Sequence, residues 1–271
     1  MDTPQYKYSD LKPVARTLLA TVAYRAVESR RPDAILSDPR ALELASKFED
    51  DFLKIAERSN MDQIFTMMRA RQFDQYARQF MEKYPHCGVV DLGCGLDTRF
   101  ERIDNGQMRW YGIDFPEVIE IRRQLLPEES RCHLMACSIL ELDWIEQIAA
   151  RPLIFLAEGV FPYLTEDEVR KLVLSIAERL PGSELVFDML TPFSIWMHSR
   201  NPVLRTAQVK LHWGIDDSRV LESWGTGVRF LDEWGYFDQK EPRLGIYYCL
   251  RFVPPLANAN RVLHYMLGSL N

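Results

Sequence analysis

Val89-Val90-Asp91-Leu92-Gly93-Cys94-Gly95-Leu96-Asp97-Thr98 begins as an apolar run and breaks on two glycines. A short apolar run ended by glycine reads as a buried strand entering a tight turn. Gly93 and Gly95 carry no Cβ, so a ligand can approach the backbone closely there. Working outward, the chain after His86 alternates between two textures. Apolar runs lie at Gly88 to Leu92, Arg109 to Asp114, Arg131 to Ala136, Leu153 to Ala157 and Glu184 to Asp188. Helical stretches separate them, such as Pro116 to Leu126 and Thr165 to Leu180. The second starts on a capping box, Thr165 with Glu168, and shows Val169, Leu172, Val173, Ile176 and Leu180 on one face. Pro181-Gly182 stops it. Strands alternating with helices predict an α/β, Rossmann-like parallel sheet with helices on both faces.

Ligands of such sheets bind at the carboxyl ends of the strands. The second run ends on Asp114, whose carboxylate can accept from both hydroxyls of a ribose. A nucleoside cofactor is implied, and the loop discriminates between kinds. A pyrophosphate loop reads Gly-x-Gly-x-x-Gly, but the third glycine is replaced by Thr98. Asp97 also sets negative charge where a pyrophosphate would lie. A sulfonium cofactor carries no phosphate and tolerates both. The pattern therefore favours S-adenosylmethionine, with a dinucleotide-dependent oxidoreductase or a non-catalytic cofactor-binding protein as alternatives.

Residues 1–85 read as N-terminal helices. Leu11 to Arg30 has helical spacing, and Asp38-Pro39 looks like an N-cap followed by proline in the first turn. Ile64, Phe65, Met68, Phe73, Tyr76, Ala77 and Phe80 make a broad stripe on a third helix. Residues 191–255 are rich in tryptophan and irregular in period, and are read as a substrate-cap insertion before a final strand near Arg261 to Leu267. Within it Phe193, Trp196, His198, His212, Trp213, Trp224, Phe230 and Trp234 offer flat apolar area suited to a ring-bearing acceptor, or else glue the segment to the sheet. No repeat or flexible linker interrupts the 271 residues, so one continuous domain is expected.

Apolar residues are 47% and charged residues 27% of the chain, with a net charge of −6. That balance argues against a nucleic-acid surface. Neither a membrane span nor a signal peptide is read, which predicts a cytoplasmic protein. Five cysteines without paired spacing suggest neither disulfides nor zinc. Cys87, Cys132 and Cys249 are expected to be buried. His86, His133 and His264 lie at or near strands and read as structural. A homodimer is left open.

The chain resembles the leucine carboxyl methyltransferase superfamily, particularly its bacterial polyketide (tetracenomycin-type) O-methyltransferase branch. The resemblance rests on Val89 through Phe100, on Gly112-Ile113-Asp114-Phe115-Pro116-Glu117-Val118 and on Ala157-Glu158-Gly159-Val160-Phe161-Pro162-Tyr163-Leu164. It extends to Ala23-Tyr24-Arg25-Ala26 and Arg69-Ala70-Arg71-Gln72-Phe73-Asp74. The resemblance implies that Gly93 and Gly95 back the methionine part of S-adenosylmethionine and that Asp114 binds its ribose. It implies that Glu158 meets the ammonium, and that Arg69, with help from Arg25, holds the carboxylate. Relatives often carry an acidic residue and an aliphatic one against adenine; here the pair is Ser138-Ile139. Asp91 stands where some relatives have asparagine. Tyr163, just beyond the fourth strand, is expected to position the acceptor oxygen. The implied substrate is a small polyketide-like or aromatic carboxylate, which needs no base at neutral pH. A phenol, with a pKa near 10, is the alternative.

Overall fold

The computed structural model describes residues 13–48, 53, 60–126, 129–198, 200 and 210–268. Helices α1 (Pro13–Ser29), α2 (Pro39–Ser46) and α3 (Asn60–Lys83) precede the sheet. Then follow β1 (Gly88–Leu92), α4 (Arg99–Ile103), β2 (Arg109–Asp114), α5 (Pro116–Leu125) and β3 (Cys132–Ala136). The second half holds β4 (Leu153–Ala157), α6 (Glu166–Arg179), β5 (Ser183–Leu190), α7 (Pro192–His198), β6 (Arg229–Gly235), α8 (Pro254–Ala257) and β7 (Asn260–Leu267). The seven strands stand in the order β3-β2-β1-β4-β5-β7-β6. The first five are mutually parallel, β7 runs antiparallel to β5, and β6 antiparallel to β7.

Helices cover both faces, which is why β1 and β4 are buried along their whole length. Alternate side chains divide between two cores, as strand geometry requires. Val90, Leu92, Phe155, Leu185 and Phe187 pack under Val169, Leu172, Val173 and Ile176 of α6. Val89, Ile154, Leu156 and Val186 pack on the opposite face beneath Phe73, Tyr76, Ala77 and Phe80 of α3. A third cluster joins Leu19, Val22, Ala23 and Ala26 of α1 to Leu44 of α2 and to Leu96 of the glycine turn. The N-terminal helices are therefore built onto that turn. Asp38 caps α2 through the Ala41 N–H at 2.9 Å, and the Thr165–Glu168 capping box is formed.

The late segment divides between the sheet and the cavity beside it, to which Ser194, Met197, Leu211, Tyr236, Phe237 and Leu250 contribute. Residues 229–235 form β6, a sheet edge strand. Three charged residues and a register shift between Phe230 and Asp232 break its alternation, so the sequence pattern conceals it. Trp213, Trp224 and Trp234 are buried in the two sheet cores rather than displayed to a substrate. Phe193 and Trp196 are exposed and stack on each other with ring centroids 5.9 Å apart. Cys249 is exposed, against expectation, because its stretch of 3-10 helix (Pro242–Phe252) lies on the surface. The side chain of His198 lies outside the described residues. Among the described residues no helix is long and apolar enough to cross a membrane.

Candidate active site

The turn after β1 is held from several directions. Its Gly93 and Cys94 N–H groups both donate to the Ile113 carbonyl, at 2.8 and 3.1 Å. Gly93 has φ 73°, and a Cβ there would stand 2.7 Å from Val160 Cγ2. Gly95 has φ 44°. Both values lie in the left-handed region that suits glycine. The Gly95 N–H donates to Asp114 Oδ2 at 2.8 Å, while Phe115 N–H donates to Oδ1 at 2.8 Å. Asp114 at the end of β2 is thus tied to the turn, and further lone pairs on each oxygen remain for a ligand. Burial raises its pKa above the ordinary carboxylate value, against these backbone donors and Arg122.

Two buried arginines hold the turn's carbonyls. Arg122 of α5 donates to Gly95 O at 3.0 Å, and Arg25 of α1 donates to Leu96 O at 2.9 Å. Arg25 also pairs with Asp38 at 3.0 Å. Its visible partners are therefore groups of the scaffold. Asp91 Oδ2 is buried with no hydrogen-bond partner. Burial, then Asp97, hold the Asp91 carboxyl well above its usual range.

Beside the turn lies an arginine–carboxylate network that motif reading missed. Arg99, 1% exposed, reaches Asp74 of α3 at 2.6 Å, Asp97 of the turn, and Glu158 at 2.5 Å. Arg102 joins Asp74 at 3.0 Å to Asp38 at 2.8 Å. Burial alone would raise the Asp97 carboxyl, but Arg99, Arg102, Arg25 and Arg122 outweigh it and hold it well below its usual range. Glu158, just past β4, gives its other oxygen to Arg69 Nε at 3.0 Å. Arg69 Nη1 continues to Asp188 of β5 at 2.9 Å, and Asp188 also accepts from the Gly159 N–H. Burial, against Arg69, leaves the Asp188 carboxyl raised. The adjacency Asp97-Thr98-Arg99 and the Asp74 of the Arg69 motif were the available signals for this network.

On the far side of Arg69 opens a cavity of about 420 Å³. One face of α3 supplies Phe65, Thr66 and Arg69; Gly159 and Tyr163 come from the loop after β4. Tyr236 and Phe237 follow β6, and Leu190, Leu250 and Leu256 complete much of the apolar wall. Neither Gly93, Gly95 nor Asp114 lines this space. The glycine turn and the cavity are two compartments that meet at Arg69, Glu158 and Gly159.

The remaining expected residues are placed as follows. Ser138 and Ile139 lie just past β3; the Ser138 hydroxyl accepts from Leu140 N–H at 3.2 Å, and Ile139 is buried. Tyr163 is 47% exposed at the cavity. His212 is exposed, with its N–H on the Pro162 carbonyl at 2.7 Å. His264 pairs with Glu184 at 2.7 Å within the sheet.

A parallel sheet in this strand order, with an antiparallel strand beside β5 and a glycine turn facing a strand-end carboxylate, defines a Rossmann-like class I methyltransferase fold. The chain belongs to the leucine carboxyl methyltransferase family, whose model matches residues 18–177. It is 33% identical to the tetracenomycin polyketide synthesis O-methyltransferase TcmP of Streptomyces glaucescens, over 94% of this chain and 97% of that one. It is 30% identical to the S-adenosyl-L-methionine-dependent methyltransferase dpfgK of Gibberella zeae, over 79% of each. In fold it is similar to a DUF574 family protein from Streptomyces avermitilis, with a TM-score of 0.57, 12% identity, and coverage of 81% and 91%. The protein is an S-adenosylmethionine-dependent O-methyltransferase of the polyketide branch. Its own residues fit that cofactor. Gly93 and Gly95 give the turn a Cβ-free cradle, and among the described residues the buried Asp91 Oδ2 has no protein partner.

Proposed function

We propose that the enzyme methylates the carboxylate of a small ring-bearing acid, polyketide-like or aromatic. One observation carries this reading: the apolar cavity closes on Arg69, a guanidinium that also faces the cofactor side through Glu158. Arg69 uses two of its five N–H groups on Glu158 and Asp188, which leaves donors for a carboxylate. The names of the family and of its Streptomyces relative point to carboxyl and polyketide acceptors respectively.

When bound, S-adenosylmethionine supplies a sulfonium-activated methyl group. In this reading Gly93 and Gly95 admit its methionine part, Asp114 accepts from the ribose hydroxyls, and Glu158 accepts from the ammonium. At the boundary between the compartments, Arg69 divides its three remaining N–H groups between the methionine carboxylate on the turn side and the acceptor carboxylate on the cavity side. Ser138 bonds the adenine edge and Ile139 packs against the ring. Arg25 acts through Leu96 and Asp38, fixing the turn rather than touching the ligand. Tyr163 positions the acceptor oxygen, which must lie about 3 to 3.5 Å from the methyl carbon and in line with its leaving group.

The test uses methyl-labelled cofactor with a panel of aromatic acids and phenols. A carboxylate product is an ester and releases labelled methanol in mild alkali. Label that survives alkali as an aryl ether sinks the carboxylate reading while leaving methyl transfer intact.

A further inference from the structure

The cavity wall is largely apolar, with polar groups in three places: Asp62 and Thr66 of α3, the Arg69–Asp188 end with Tyr163 and Tyr236, and a pair formed by Ser194 of α7 and Asn260 at the start of β7. Ser194 Oγ donates to Asn260 Oδ1 at 3.0 Å. With Oδ1 on the Ser194 hydroxyl, the Asn260 Nδ2 group faces away from Ser194. Among the described residues Nδ2 has no partner, although Asn260 is half-buried and lines the cavity. An amide donor without a protein partner, in a largely apolar wall, is the form of a ligand-reading group.

Its position sets what it can read. Asn260 is paired with Leu190, which lies two residues beyond Asp188 on β5 and so projects to the same face. β7 is two strand spacings from β4, whose end carries Glu158 and Gly159. The separation is therefore about 10 Å between the methyl-transfer end and the amide. That is the span of two fused rings with a substituent at each end.

We propose that Asn260, oriented by Ser194, is a specificity-determining residue that donates a hydrogen bond to an oxygen on the acceptor remote from the methylated carboxylate. The substrate is then a fused-ring acid bearing a distal hydroxyl or carbonyl. This inference rests on the carboxylate reading above. The Asn260 backbone belongs to the β5–β7 ladder, which a side-chain substitution leaves in place.

The test compares a naphthoic acid with the hydroxynaphthoic acid whose hydroxyl sits on the ring remote from the carboxyl, and includes naphthol. Each is assayed with S-adenosylmethionine and the full chain. Wild type should favour the hydroxy acid about tenfold in kcat/KM, the ratio given by one net hydrogen bond of ordinary strength. Asn260→Ala should abolish that preference by lowering kcat/KM for the hydroxy acid alone, with cofactor Kd unchanged. Ser194→Ala, which takes the hydroxyl away from Asn260 Oδ1, should weaken the preference. Equal use of both acids by wild type, or an equal loss on both in Asn260→Ala, overturns the assignment while leaving the carboxylate reading standing. Methylation of naphthol and neither acid overturns both. Turnover of none of the three, with S-adenosylhomocysteine still bound, overturns the fused-ring acid.

Discussion

Glu158 Oε2 at the end of β4 lies 2.5 Å from Arg99 Nη2 at the start of α4, so the loop after one strand fixes a carboxylate that follows another. Arg99 is buried and also grips Asp74 and Asp97. Removing it leaves three carboxylates without their shared cation. Breaking a buried pair from one side typically costs about 3 to 5 kcal/mol. Arg99→Met should therefore unfold in denaturant with a stability loss of that order, and cofactor affinity should fall as Glu158 is released. The sign with pH follows from Asp97, whose pKa is depressed in the folded state. Its contribution is present above the unfolded value of about 3.9 and is lost as pH falls through the lower folded one. The gap between wild type and Arg99→Met should narrow as the pH drops below about 4. A gap that widens there would show that the network does not act through its charges.

Gly93 makes a second test, of turn geometry rather than charge. An alanine there adopts a positive φ, and its Cβ meets Val160 Cγ2 at 2.7 Å. Such strain costs about 1 to 3 kcal/mol. Gly93→Ala should lower the Tm, and the double variant with Val160→Ala should recover the part due to the clash but not the part due to φ. Complete recovery would mean that the left-handed conformation carries no penalty here.

The parts of the site that are local in sequence were legible before the structure. Gly93, Gly95 and Asp114 each sit at the end of an apolar run, and strand ends converge by topology. The Arg69–Glu158–Arg99 junction was only half legible. Its members come from α3, β4 and α4, and a charged side chain carries no periodicity that names its partner. Glu158 and Arg69 entered through motif resemblance as separate ligand contacts, and the structure joins them to each other. Asp188 and Tyr236 gave no signal, because each stands among apolar residues as an ordinary strand-end group. In the late segment, composition left two readings open, and the structure follows the second for three tryptophans. Trp213, Trp224 and Trp234 have the residue type of a ring-binding cap, yet they fill the sheet's cores. The cavity takes its rings from Phe65, Tyr163, Tyr236 and Phe237.

Asp114 carries one observed role and one proposed role, and a single substitution separates them. Its Oδ2 accepts from the Gly95 N–H, and in the proposed function its remaining lone pairs accept from the ribose. Asp114→Ala should weaken cofactor binding by about 1.5 to 3 kcal/mol, the range for hydrogen bonds to a charged group. It should also cost about 1 kcal/mol of stability, since the turn loses an acceptor. Calorimetry and thermal unfolding on the same samples check both. An unchanged cofactor Kd alongside a lowered Tm would leave Asp114 as a scaffold residue and move the ribose elsewhere.

The pH dependence of kcat/KM separates the two acceptor chemistries without any variant. An aromatic carboxyl, with a pKa near that of Asp or Glu, is ionised throughout the range from about pH 6 to 9. Its oxygen is then already nucleophilic, and Arg69 remains cationic because Asp188 and Glu158, against the effect of burial, raise its pKa. Neither partner changes charge, so the profile should be flat across that window. A phenol behaves otherwise: its ionised fraction rises about tenfold per pH unit below a pKa near 10. Where no protein group takes its proton, kcat/KM should climb with unit slope. Tyr163 bears on the same measurement. If it orients the acceptor oxygen by hydrogen bonding, Tyr163→Phe should lower kcat/KM about tenfold at every pH and leave the slope unchanged. A slope that appears only in Tyr163→Phe would show the phenol group moving a proton, which a carboxylate acceptor does not require.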